Sequence, residues 1–361
     1  MLTIQEDQTI VLDTGRSERV VAVAFHPDGK HLLGGSSDGI RRWRLADGKQ
    51  VRKKMGIKVY AISVSRNGKW IVCGTGKGAS VWDGKLHKKI IDVEGTSEVW
   101  AVDVSPDSTR FATGTKEAAS IWSITSGAQL AGLGHRFTAG VVGLRFSPNG
   151  GYIASAAESR LGWGPWLEET RDIHIFDSHR GDSLVTIRTR IPSNFVCTPL
   201  TWSSDAQQIF AACSDNKIRS FDVTIGSELA ESPIIHDHDA SAIHSLTLAA
   251  NGTFIATFAD RSISFLDTPT LARIGPVIKD NSKIWSTAIS PDSRYLGAGR
   301  QDGKIVVRDL RKILPDLYAG PFNINVSAFI VQAFWICPIQ SITYADKQCR
   351  CPLAWKCNLR H

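Results

Sequence analysis

The sequence predicts an all-β fold assembled from repeats, and three observations carry the prediction. The ten residues "VWAVDVSPDS" (99–108) return as "IWSTAISPDS" (284–293), 185 positions later. Five looser copies begin near Val20, Val59, Val141, Thr198 and Ile243. Every copy alternates short β-prone apolar runs with tight polar turns, which is the pattern of strands and not of helices.

The repeat has a measurable period. Its turn residues Pro27, Arg66, Pro106, Pro148, Ser204, Ala250 and Pro291 stand 39, 40, 42, 56, 46 and 41 residues apart. A spacing near 40 with two expansions marks an array whose units each supply one supersecondary element. Within a unit, a first apolar run such as "VVAVAF" leads into a turn such as "HPDG" or "SPDS". Pro presets φ there, and Asp, Asn or Gly accept the tight geometry. A second run follows, rich in small residues: "HLLGGSS", "WIVCGTG", "RFATGTK", "YIASAAE", "QIFAACS", "FIATFAD", "YLGAGRQ". A third ends in an aromatic or a Trp-Asp-like pair: Trp43, Trp82-Asp83, Trp122, Phe176-Asp177, Phe221-Asp222, Leu266-Asp267. The fourth is polar, as in "KQVRKKM" and "KKIIDVE". Four strands per unit, repeated seven times, describe a seven-bladed β-propeller of four-stranded antiparallel blades.

Ring closure follows from the arithmetic of strands. Six polar fourth strands lie between seven three-strand cores, so the last blade needs one more. The segment "QTIVLDT" (8–14) is expected to pair with residues 304–308 and to cover an otherwise exposed edge. The competing segment, "RKILPDL", contains Pro315, which cannot donate to a ladder.

These motifs resemble the WD40 (Trp-Asp repeat) β-propeller family over about residues 8–310. The copies are divergent. Only Trp82-Asp83 is a literal Trp-Asp pair, Arg308-Asp309 replaces it in the seventh repeat, and the Gly-His that usually precedes a blade appears once, at Gly134-His135. The family's buried His–Ser/Thr–Asp–Trp network is therefore not expected intact in most blades. The resemblance implies structural roles for His135, Trp43, Trp82, Asp83, Trp122, Phe176, Asp177, Phe221 and Asp222. It also places the second residue of each innermost strand at the rim of the central channel. Those residues are Val21, Tyr60, Trp100, Val142, Thr198, His244 and Trp285. Tyr60, Trp100, His244 and Trp285 are aromatic, the composition of a protein-binding hot spot. The expanded segment 158–171, "ESRLGWGPWLEETR", is expected as a turn-rich loop on the same face, with Trp163 and Trp166 as further contact residues. Each ring has a competing role as ordinary inter-blade core.

Other segments carry less. "GTGKGAS" (74–80) lacks phosphate-loop spacing and leads into a strand, so it reads as a turn. "HDHD" (236–239) has no second cluster to complete a metal shell. No metal or cofactor is expected. Residues 1–310 read as one propeller, with cores starting near 20, 59, 99, 141, 198, 243 and 284. Residues 311–361 have no repeat pattern, hold Cys337, Cys349, Cys351 and Cys357, and are expected to lie outside the fold.

Charge and cysteines bound the function. The chain of 361 residues carries +7. Residues 311–361 account for +4, so the body is nearly balanced and nucleic acid is an improbable partner. Scattered Cys73, Cys197 and Cys213 do not read as a disulfide framework, which points to an intracellular, reducing compartment, cytoplasmic or nuclear. The N-terminus reads as lacking a secretory signal, and the apolar stretch 326–339 is too short to span a bilayer, which takes about 20 residues. The leading reading is a non-catalytic protein–protein interaction scaffold that takes a partner peptide or domain on one face of the ring and needs no small-molecule substrate. The rival readings are a propeller-type enzyme, disfavoured by mostly apolar strand entries, and a sensor module of a larger signalling assembly, which is an analogy of family only.

Overall fold

Most repeats turn on one small device of hydrogen bonds. In the computed structural model, which describes residues 9–15, 18–95, 97–133, 140–161, 168–189, 199–235 and 243–318, the device recurs in five blades. A Ser hydroxyl oxygen accepts from the N–H five residues on: Ser65 from Trp70, Ser105 from Arg110, Ser147 from Tyr152, Ser203 from Gln208 and Ser290 from Tyr295, at 2.8–3.0 Å. The Asp or Asn two positions after the Ser accepts from the N–H two further on, as Asp107 does from Thr109 at 3.0 Å. The fourth turn residue is left-handed, which Gly68 and Gly150 adopt freely, while Ser108, Ala206 and Ser293 hold φ near +60° at some cost. The turn thereby sets the register between the first and second strands.

Seven sheets result. Their innermost strands are Ala22–Phe25, Val59–Val64, Val99–Val104, Val141–Phe146, Leu200–Trp202, Ser245–Leu248 and Ile284–Ile289. Each pairs antiparallel with the next strand in sequence, and the order continues outward without crossovers. This is the seven-bladed β-propeller that the repeat predicts. The core lies between neighbouring blades. Ala101, Ala112 and Ile121 of the third pack against Val141, Leu144 and Phe176 of the fourth. Small residues in the second strands make that approach possible: a Cβ on Gly74 would stand 2.4 Å from the Val99 carbonyl oxygen of the next blade.

Closure proceeds through the N-terminal strand. Thr9–Asp13 pairs with Lys304–Asp309, from Thr9 opposite Arg308 to Asp13 opposite Lys304. Leu12 is wholly buried among Val20, Trp43, Ile305 and Val307, so one side chain ties the seventh blade to the first. The competing segment forms two helical turns, Leu310–Ile313 and Pro315–Tyr318. Asp309 caps the first by accepting from the Arg311 N–H at 3.1 Å. Leu310 and Leu314 are buried, and the Tyr318 hydroxyl donates to the Ser293 carbonyl. Packed side chains thus continue past the boundary expected at residue 310. Residues 319–361, with all four tail cysteines, lie outside the described residues.

Two expectations about strands need correction. The fourth strand of the first blade, expected from "KQVRKKM", is reduced to two bridges, Trp43 with Gln50 and Ile40 with Met55. Two extra residues fall between them, and Arg52 adopts φ +66°, which breaks a continuous ladder. The segment 158–171 is not wholly a loop. Tyr152–Leu161 and Glu168–Asp177 form one long hairpin, paired out to Leu161 opposite Glu168. Trp163 and Trp166 lie outside the described residues.

The Trp-Asp-like pairs divide their work. Trp43, Phe176 and Phe221 are buried, and Trp122 donates its indole N–H to Thr113 Oγ1 at 2.8 Å. The Asp after the aromatic holds the following turn. Asp83 accepts from the N–H groups of Lys85 and Leu86 at 2.8 and 2.6 Å, Asp177 from His179 and Arg180 at 2.8 Å, and Asp222 from Thr224 and Ile225 at 2.7 and 3.2 Å. His135 lies outside the described residues.

Candidate partner-binding face

The aromatic residues near the starts of the innermost strands are set by backbone irregularity. Tyr60, Trp100 and Trp285 each fall where the ladder skips one residue, between Val59 and Ala61, Val99 and Ala101, and Ile284 and Ser286. An extra residue in one strand of a pair bends that strand and re-aims its side chain. The three rings are therefore neither lost in the core nor fully in water; all are half-buried.

The rings gather polar and charged company. Tyr60 stacks on Trp100, with centroids 4.8 Å apart and planes 25° apart. The Tyr60 hydroxyl donates to Glu98 at 2.9 Å, and the Trp285 indole donates to Gln301. Arg19 lies 4.6 Å and Lys283 5.4 Å from the Trp285 ring, and Lys58 lies 5.2 Å from the Tyr60 ring. Cations over ring faces are attracted by the ring quadrupole. Tyr60, Trp100 and Trp285 line a shared depression with Arg145 and Ser245, and its free space is about 70 Å³. That volume holds a few waters.

Deeper in the ring, Asp103 is fully engaged. Its carboxylate accepts from Ser63 Oγ at 3.1 Å and from the Phe146 N–H at 2.9 Å, with Arg145 at 3.5 Å. Burial pushes its pKa up, and Arg145 and the Phe146 N–H oppose that shift. These bonds join the second, third and fourth blades. His244 sits differently from the three rings. It is 9% exposed, its ring is 5.8 Å from the core side chain Phe258, and burial, then Lys283, lowers its pKa. Its neighbour Ser245 is the residue that lines the depression.

Residues missed from the sequence were Lys58, Lys283, Glu98, Gln301 and Arg19. A signal existed for the two lysines. Each stands two positions before its aromatic, in "KVY" and "KIW". Arg19 precedes the first blade yet covers a ring of the seventh, which no local pattern conveys.

The WD40 family model, described as WD domain, G-beta repeat, matches residues 8–43, 49–83, 87–123 and 127–161. The chain carries WD40 repeats and folds as a β-propeller. Among curated relatives, it is 31% identical over 147 residues to autophagy-related protein 16 of Arabidopsis thaliana, covering 39% of this propeller chain and 27% of the relative. It is 25% identical over 245 residues to eukaryotic translation initiation factor 3 subunit I of Aspergillus oryzae, covering 62% and 71%. It is 22% identical over 300 residues to the intraflagellar transport protein 122 homolog of Xenopus tropicalis, covering 81% and 24%. The WD40 chain thus spans about a quarter of the first and third relatives, and most of the second. Among the described residues, no helix is long and apolar enough to cross a membrane.

Proposed function

We propose that this propeller is a non-catalytic scaffold that docks a partner peptide or domain on the face carrying Tyr60, Trp100 and Trp285. The carrying observation is the bulge at each of the three positions, which takes a large ring out of the ladder, all three rings lining one depression. Half-buried aromatics on a rigid frame bind at low entropic cost. The cations Arg19, Lys58 and Lys283 favour a partner segment that combines carboxylates with an apolar anchor. Trp163 and Trp166 stand in sequence between the two strands of the long fourth-blade hairpin and belong to the same proposal; His244 contributes as a buried support. The relatives agree in kind: one is named as a subunit of an initiation factor, and two are far longer than the matched region. That difference in length favours the related reading of a propeller that serves as one module of a larger assembly. Buried free Cys73 and Cys213 support an intracellular site of action.

The test is affinity capture from native lysate with the wild type and a Tyr60→Ala, Trp100→Ala, Trp285→Ala variant, both shown folded by circular dichroism. Proteins held by the wild type and lost by the variant support the face. An unchanged set of partners refutes it and turns attention to the blade edges.

A further inference from the structure

Two turns depart from the serine pattern: the sixth blade carries Ala249 at that position and the first carries His26. In the other five a Ser accepts from the backbone N–H five residues later. In the first blade, the two positions five apart are His26 and His31, and the Asp between them is retained as Asp28. Both rings converge on it. His26 Nδ1 lies 2.9 Å and His31 Nδ1 2.7 Å from the same carboxylate oxygen, Asp28 Oδ2. The rings stand nearly perpendicular, at 85°. Among the described residues, this is the one cluster of three such side chains whose ligand atoms all lie within 4.8 Å of one another.

The outer contacts orient the cluster. The far nitrogen of His26, Nε2, faces the Gly68 carbonyl oxygen of the second blade at 3.3 Å. Donation to that carbonyl requires the proton on Nε2. In a neutral ring this leaves the Nδ1 lone pair, which accepts from the Asp28 N–H at 3.3 Å, also 2.9 Å from a carboxylate oxygen, two acceptors in contact. A cation between them removes the conflict. A ring that ligates through one nitrogen and donates the other N–H to a backbone carbonyl is the usual second-sphere arrangement of metal-bound His. Asp28 is likewise steadied, because its other oxygen accepts from the Lys30 and His31 N–H groups at 2.8 and 3.1 Å.

We propose that His26 Nδ1, His31 Nδ1 and Asp28 Oδ2 form a binding site for a borderline divalent cation of the zinc type, on the blade ends opposite the aromatic mouth. Two imidazoles and one carboxylate suit zinc, with water as the fourth ligand. Tetrahedral donors about 2.0–2.2 Å from zinc stand roughly 3.3 Å apart. The two ring nitrogens, now 2.9 and 2.7 Å from Asp28 Oδ2, would each withdraw from it by about half an ångström. The side chains are 13%, 31% and 20% exposed, open enough for an ion to enter. Arg42 opposes a cation, but its guanidinium is anchored on the Gly84 carbonyl at 2.7 Å and reaches Asp28 Oδ2 only at 3.4 Å. Because His26 also contacts Gly68, a bound ion would clamp the turns of the first two blades, where the fourth strand of the first blade is incomplete.

The test uses the full chain and zinc alone. Metal content after equilibrium dialysis should show one more zinc equivalent in the wild type than in His26→Gln or His31→Gln. Affinity at that site should fall at least tenfold, since even partners outside the ligand set cost about 10–100-fold. Cobalt substituted for zinc should give ligand-field bands that the variants lose, without a thiolate charge-transfer band, which separates the site from the tail cysteines. Equal stoichiometry and affinity in the wild type and both folded variants overturns the proposal. A second measurement needs no variant. Zinc should protect His26 and His31 from diethyl pyrocarbonate, mapped by mass spectrometry, and unchanged modification of both overturns it equally.

Discussion

Replacing Leu12 by Ala tests how the ring is closed. The N-terminal strand meets the seventh blade over five residue pairs, yet Leu12 is its one buried side chain, at 0% exposure. Truncation removes three carbons, about 0.8 kcal/mol each in transfer, or roughly 2.4 kcal/mol. The space left among Val20, Trp43, Ile305 and Val307 collapses only in part, so the total should be about 3 kcal/mol. Val11, its neighbour on the opposite face, is 52% exposed, and Val11→Ala should change stability by less than about 0.5 kcal/mol. Urea unfolding with tryptophan fluorescence measures both, and proteolysis at the N-terminus should accelerate in Leu12→Ala alone. Equal midpoints for the two variants would refute the reasoning, because closure would then rest on the ladder and not on this anchor.

Three further outcomes follow from the same geometry. Gly74→Ala should destabilise by about 1–3 kcal/mol, because its Cβ meets a backbone carbonyl of the next blade at 2.4 Å. Gly76→Ala, whose nearest neighbour is the Tyr60 ring at 3.9 Å, is its control in thermal melts. Asp83→Ala should cost about 1 kcal/mol, since the N–H groups of Lys85 and Leu86 lose their acceptor; a melting temperature equal to the wild type would count against the capping role. Burial raises the pKa of Asp103 above the ordinary 3.8, so the folded state holds this proton more tightly than the unfolded one. The stability so gained is present at low pH and is lost as pH rises from about 3.8 through the raised value. The wild-type stability minus that of Asp103→Asn should therefore decline with rising pH, and a flat difference would show that burial does not govern this group.

The repeat was legible because each blade makes the same local demands. A turn must reverse the chain in four residues, a second strand must be thin where the next blade approaches, and a closing strand must come from one end or the other. Ser105, Pro106 and Asp107 display the first demand openly, Gly74 the second, and Pro315 settled the third by its missing N–H. Tyr60, Trp100 and Trp285 were legible as equivalent positions of the repeat, whereas His244, read the same way, packs against Phe258. The incomplete strand after Trp43 was not, because the polar run "KQVRKKM" has strand composition and only the kink at Arg52 interrupts it. The strand ladder through 158–161 and 168–171 was also missed, since pairing between those stretches does not depend on the Gly and Pro residues that fill the turn between them.

The sequence by itself determined the number of blades, their strand order and the end that closes the ring, because these depend on spacing and on residues within a single repeat. Only the tertiary structure decided which rings line one depression, how Arg19 comes to lie over Trp285, and that His26 and His31 share one Asp28 oxygen beside Gly68. Those are distances between side chains of different blades, or within one turn at sub-ångström scale. Such distances are set by bulges and by packing across the ring, neither of which any single repeat encodes.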